Sequence, residues 1–126
     1  MDWKLEVVPV PVSDVDRAKA FYSEKVGFQL DHDYQMPERR VVQLTPRGSA
    51  CSIVIGTGMF KTLPGSVQGL HLVVSDIHAA RAELVERGVE VSEVHDFGGG
   101  VSSVFFKDPD GNSWVVQHIA PGAHRP

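Results

Sequence analysis

Apolar positions along the chain follow two periods, alternating along some stretches and recurring every three to four residues along others, and the switches between them outline the same set of elements twice. Residues 5–12 read as extended, and Pro9 and Pro11 restrict that segment to a sheet edge or a bulge. Ser13 or Asp14 then caps a helix in which Val15, Ala18, Tyr22 and Val26 recur at helical spacing, and Gly27 stops it. Three extended stretches follow at 28–34, 39–45 and 50–56, the last two joined by a turn at 46–49. The second half predicts a strand at 70–74 and a helix at 76–87 with Ile77, Ala80, Leu84 and Val85 on one side and Gly88 as its stop. Strands at 89–94, 101–107 and 113–119 complete it, the last hairpin closing through Asp108-Pro109-Asp110-Gly111-Asn112.

Residue identities repeat along with the pattern. At a displacement of 62 (74 less 12), Val12, Ser13, Asp14, Ala18, Ala20 and Glu24 match Val74, Ser75, Asp76, Ala80, Ala82 and Glu86. At 63 (109 less 46), Pro46-Arg47-Gly48-Ser49 aligns with Pro109-Asp110-Gly111-Asn112, and each turn leads into an apolar strand. Half of 126 is 63, so one motif is used twice. The expectation is a single α+β domain over 1–126, built of two β-α-β-β-β modules at 3–58 and 67–119, with a linker at 59–66 and a tail at 120–126. Helices covering one face of each four-stranded sheet leave the other face open, and two such sheets side by side make a cup suited to a small molecule.

Composition narrows the classes of partner. With 42% hydrophobic residues the chain can bury a core, and a net charge of −4 with scattered Lys and Arg offers no footprint for nucleic acid or a membrane surface. No apolar run approaches the ~20 residues of a membrane span, and Met1-Asp2-Trp3-Lys4 lacks the layout of a signal peptide, which points to a cytoplasmic protein. Cys51 is the single cysteine, excluding an intramolecular disulfide and a thiolate metal site, and its apolar neighbours read as a strand packed in a core. Gly98-Gly99-Gly100 lacks the Lys-Ser/Thr of a phosphate cradle. Ser13 and Ser75 each precede an Asp and open a helix, the place of caps and not of nucleophiles. His78 and Arg81 are expected outside, Glu83 with Arg87 as a surface pair, and Asp31-His32-Asp33 as a solvated run.

The doubled β-α-β-β-β pattern, the helix entry Val12-Ser13-Asp14-Val15 with Ala-Phe-Tyr and Gly27-Phe28, and the Asp108–Asn112 turn resemble the vicinal oxygen chelate superfamily of glyoxalases, bleomycin-resistance proteins and extradiol dioxygenases. The resemblance runs over about residues 5–119. It implies a cup-shaped pair of sheets and a homodimer. Metal-dependent members hold a divalent cation with His, Gln or Glu seven residues before each helix-capping Asp and four after the Gly of each late turn. Those positions here are Val7, Gly69, Ser52 and Val115, of which only Ser52 carries a lone pair. The resemblance therefore implies the metal-free, cofactor-free binding members of the family.

Strand alternation places His71, Gln117, Val54, Leu5 and Pro9 on the same inner face as those four positions, giving an apolar cup with few polar groups. His71 reads either as a histidine satisfied by a backbone carbonyl or as a group that orients a ligand or transfers a proton; Gln117 has a similar choice. Trp114 is expected in the core. The expected function is sequestration of a small apolar or aromatic molecule through His71, Gln117, Ser52, Val7, Gly69, Val115 and Val54. The alternative is a glyoxalase-like lyase, isomerase or transferase with His71 as acid/base or off-register metal ligand.

Overall fold

The structure, a computed structural model, describes residues 1–58 and 61–122, so parts of the expected linker and tail, His124 among them, lie outside the described residues. The first module runs β1 (Val7–Pro9), α1 (Val15–Ala20) continuing as a π-helical segment (Phe21–Val26), β2 (Gln29–Met36), β3 (Arg39–Thr45) and β4 (Ser52–Thr57). The second runs β5 (Leu70–Val73), α2 (Ile77–Glu86), β6 (His95–Gly98), β7 (Val101–Lys107) and β8 (Ser113–Ile119). Each forms a four-stranded sheet, β1-β4-β3-β2 and β5-β8-β7-β6, in which the first pair is parallel and the others antiparallel. The edge position of β1 accommodates Pro9, which has no N–H for an inner ladder.

The repeat is visible at the helix starts. Asp14 and Asp76 both have extended backbones, and their carboxylates accept from Arg17 N–H and Ala79 N–H at 3.0 Å each. The expected strand at 89–94 differs: Val91 makes only an isolated bridge to Phe106, and the outer strand falls on His95–Gly98, between the strands expected at 89–94 and 101–107. Ser92 explains the shift, because its hydroxyl accepts from Phe105 N–H and its carbonyl from Arg81 Nε, holding this stretch between α2 and β7. The apolar signal of Val89, Val91 and Val94 came from packing on the core and not from pairing. Val85, expected on the buried side of α2, is half exposed.

One core joins the modules. It takes Val42, Leu44, Ile53 and Ile55 from the inner face of the first sheet, Val104, Phe106, Trp114 and Val116 from that of the second, and residues of both helices. Tyr22 stands at its centre, fully buried, with ring centroids 5.6 Å from Phe28 and 5.7 Å from Trp114. Its hydroxyl donates to Asp108 Oδ2 at 2.7 Å and accepts from Trp114 Nε1 at 3.0 Å. Burial, with the Asp108 carboxylate beside it, holds the Tyr22 phenol well above the ordinary tyrosine pKa.

Around that contact the last turn acts as a latch. Ser13 donates through N–H and hydroxyl to Asp110 at 3.1 and 2.5 Å. Asn112, also fully buried, donates to Pro11 O at 2.8 Å and accepts from Val67 N–H at 3.0 Å. The end of the first strand, the linker and the final hairpin are thereby tied together.

Candidate functional site

Alternation and register define the face of each sheet that points away from this core. On the second sheet His71 pairs with Val115 and Val115 with Phe105, forming one row. Val73, Gln117, Ser103 and His95 form the next. On the first sheet Val7 pairs with Ser52, and Pro9, Val54, Gln43 and His32 form the adjacent row. The predicted site residues thus fall on open faces: Val7, Ser52 and Val54 on one sheet, His71, Val115 and Gln117 on the other.

Gly69 lies just before β5 with φ +76°, a conformation natural to glycine, and its N–H donates to Ser113 Oγ at 2.8 Å. Its carbonyl is 2.6 Å from His71 Nδ1, so the ring is anchored locally. The register of β5 adds something the repeat alone conceals. By the repeat, Val7 and Ser52 correspond to Gly69 and Val115, yet Val115 stands beside His71. β5 is displaced by two residues against β8, which preserves the face and puts His71 where the first module has Val7.

The open faces are more aromatic than expected. Phe105 alternates with the buried Phe106 and lies 5.5 Å from the His95 ring and 6.3 Å from Phe97. On the first sheet His32 and Tyr34 stack at 5.3 Å. Tyr34 and Phe97 are 57% and 63% exposed. Alternation along 101–107 was the available signal for Phe105; nothing in the sequence pointed to Tyr34 or Phe97. Trp114 is in the core, as expected.

The Asp31-His32-Asp33 run is not simply solvated. A bulge between Leu30 and His32 breaks the alternation, and half-buried Asp31 accepts from the Thr45 hydroxyl, which is itself 2.6 Å from Ser52 Oγ. Asp33 binds Lys19 at 2.7 Å and Arg40 at 2.9 and 3.0 Å, and these hydrogen bonds, Arg40's foremost, hold its carboxyl well below the usual carboxylate range. Cys51 is half-buried, with Sγ 3.7 Å from Ser52 O.

Among the described residues no three of His, Cys, Asp and Glu come together. Of the four positions that hold a metal in metal-dependent relatives, Val7 and Val115 have no side-chain donor atom, Ser52 has a hydroxyl already bonded to Thr45, and the fourth is Gly69 by count but His71 by register, its Nδ1 already against Gly69 O. These residues do not fit a divalent cation.

The model of the Glyoxalase/Bleomycin resistance protein/Dioxygenase superfamily matches residues 4–116. The chain is similar to TnmS3, an antibiotic binding protein from Streptomyces sp. CB03234, at 38% identity and TM-score 0.84, covering 94% of this chain and 98% of that one. It is 31% identical over 117 residues to the uncharacterized protein YetH of Bacillus subtilis (strain 168), covering 90% of this chain and 97% of YetH. It is 29% identical over 125 residues to lactoylglutathione lyase GLX1 of Arabidopsis thaliana, covering 87% of this chain and 42% of that protein.

Proposed function

The chain belongs to the glyoxalase/bleomycin resistance protein/dioxygenase superfamily, and from that footing we propose that it is a metal-free homodimer that binds and sequesters a small, mainly apolar or aromatic molecule. The observation that carries the reading is the chemistry of the open faces. Where metal-dependent relatives place ligands, this chain has Val7, Ser52, Val115 and, at the fourth position, Gly69 by count and His71 by register, bordered by Phe105 and by the His32–Tyr34 stack. His71 and Gln117 supply the polar groups that orient a bound molecule on the second sheet, and on the first sheet the Ser52–Thr45 hydroxyls stand beside the apolar Val54. The antibiotic-binding relative at 38% identity supports a binding role. Because both sheets give their inner faces to one core, their open faces point outward, and a second copy laid over them would cover exposed Val73, Tyr34 and Phe97 and enclose the ligand. A free thiol at Cys51 suits the reducing cytoplasm, and among the described residues no helix is long and apolar enough to cross a membrane.

A second reading, a lyase or isomerase, is favoured by one observation: the His71 ring is anchored through Nδ1 beside Val115, the arrangement of a positioned proton-transfer group. Calorimetric titration with bleomycin and a panel of polycyclic aromatic compounds tests the first reading. His71→Ala and Gln117→Ala are expected to weaken binding by about 1–3 kcal/mol while melting temperature changes little. Unchanged affinity with lowered stability would make both residues structural. A stoichiometric metal in untagged protein, lost on His71→Ala, would overturn the metal-free reading in favour of the enzyme.

A further inference from the structure

A second concavity lies at the seam between the modules, on the inner side of the sheets. Its volume is about 370 Å³, and it is bounded by α2, the end of the π-helical segment and the Pro46–Ser49 turn. That is within the ~300–1,000 Å³ range of small-molecule sites. Phe28, Leu72, Leu84, Phe106 and Val116 line it, so its floor continues the core. Two residues of its lining, His71 and Val73 of β5, also belong to the open face.

The repeat explains the opening. Under the displacements of 62 and 63, Tyr22 corresponds to Leu84, Pro11 to Val73, Asp110 to Arg47 and Asn112 to Ser49. These four latch residues thus map onto residues of the cavity lining, whereas Ser13 and Asp108 map onto Ser75 and Thr45 outside it. Leu84 has no hydroxyl to reach across, and Arg47 and Ser49 have replaced the carboxylate and amide that close the other end. The modules are locked at one end of their seam and open at the other.

The charges on the rim point to a ligand class. Arg87 was expected to pair with Glu83 one helical turn earlier; among the described residues no such ion pair forms. The half-buried Arg87 guanidinium lies instead over Gly27, where a Cβ would stand 2.8 Å from Nη1. Gly27, at φ +88°, both ends the helical segment and leaves room for that group. Arg47 stands on the facing turn, and Glu83 is the single carboxylate of the lining. Two guanidinium groups against one carboxylate, over an apolar floor, favour an anion with an apolar body.

We propose that this seam cavity is a second ligand site, which takes a small amphipathic carboxylate with its flat apolar part on Leu84 and Phe106 and its carboxylate on Arg87. Naphthalene-2-carboxylate and neutral naphthalene-2-carboxamide, titrated by calorimetry and by amide NMR shifts, test it independently of the open-face reading. The carboxylate is expected to shift the amides of Gly27, Ala80, Leu84 and Arg87 and to bind about tenfold more tightly than the carboxamide, the effect of one charge-assisted hydrogen bond. Arg87→Gln is expected to remove that preference, Arg87→Lys to keep part of it, and Gln117→Ala to leave it intact, each variant's fold being checked in the same spectra. No shift at saturating ligand, equal affinity for the two compounds, or shifts confined to Val115, Phe105 and Gln117 would overturn the proposal; the last would also place the compound on the open face and so uphold the other site.

Discussion

Replacing Tyr22 by Phe removes one oxygen atom from the join between the modules and leaves the ring contacts with Phe21, Phe28 and Trp114 in place. That oxygen makes two buried hydrogen bonds, one to the Asp108 carboxylate and one from the Trp114 indole. The bond to a charged group contributes about 1.5–3 kcal/mol. Asp108 keeps Asn112 Nδ2 at 2.8 Å and the backbone N–H groups of Asp110 and Asn112 at 2.9 Å, so its loss is moderate. Trp114 Nε1 has no other partner among the described residues, and a buried donor left unpaired costs about 1–3 kcal/mol. Together these give a loss of about 3 kcal/mol, or roughly 10 °C in melting temperature for a chain of this size.

The pH dependence of the same variant supplies an independent check. The folded protein holds the Tyr22 phenol protonated well above pH 10, whereas the unfolded chain releases that proton near 10. The raised pKa therefore contributes stability that is fully present below pH 10 and is lost as pH rises beyond it, at up to about 1.4 kcal/mol per pH unit. Urea denaturation of wild type and Tyr22→Phe at pH 7 and through pH 9–11 measures both effects. The gap between the two proteins should be about 3 kcal/mol at pH 7 and should shrink above pH 10. A gap below about 0.5 kcal/mol at pH 7, or one that does not depend on pH, would refute the assignment of the latch to this hydroxyl.

Asp33→Asn is expected to cost up to about 1 kcal/mol at pH 7, a partly exposed cluster being screened by water. Because the Asp33 pKa is lowered, that stability is present above about pH 4 and lost as pH falls, so the difference in urea midpoint should vanish in acid; a constant difference would remove Asp33 from the account. Gly65 has φ +82°, and a Cβ there would meet Asp110 O at 2.2 Å, whereas Gly48 at φ +80° has open space around it. Gly65→Ala should therefore lower stability by more than the roughly 1 kcal/mol of backbone strain expected for Gly48→Ala, and equal losses in thermal denaturation would show that the linker moves aside without penalty.

The elements were legible where local chemistry decides them. Asp14 and Asp76 as caps, Gly27 and Gly88 as stops, and β7 and β8 to the residue all follow from turn chemistry and period. The outer strand of the second module was not legible, because Val89, Val91 and Val94 carry strand-like alternation for the sake of packing while His95–Gly98 carries none. The bulge at Asp31 escaped for a related reason. Register against β3 and the reach of the Thr45 hydroxyl are tertiary facts, and alternation read from one strand cannot contain them.

Duplication reveals the fold through the positions at which the halves agree, and the candidate sites lie where they differ. Val12, Ser13, Asp14 and Ala18 recur because each module must start a helix and bury it in the same way. Tyr22 against Leu84, Asn112 against Ser49 and Asp110 against Arg47 do not recur, since one core can be latched at one end and left open at the other. Similarly, β5 can slip by two residues against β8, bringing His71 beside Val115, without turning any side chain to the wrong face. A slip of one residue would have exchanged the inner and open faces and exposed Leu70 and Leu72. The period of two thus protects the core while leaving the composition of the open face free to change without disturbing the module that carries it.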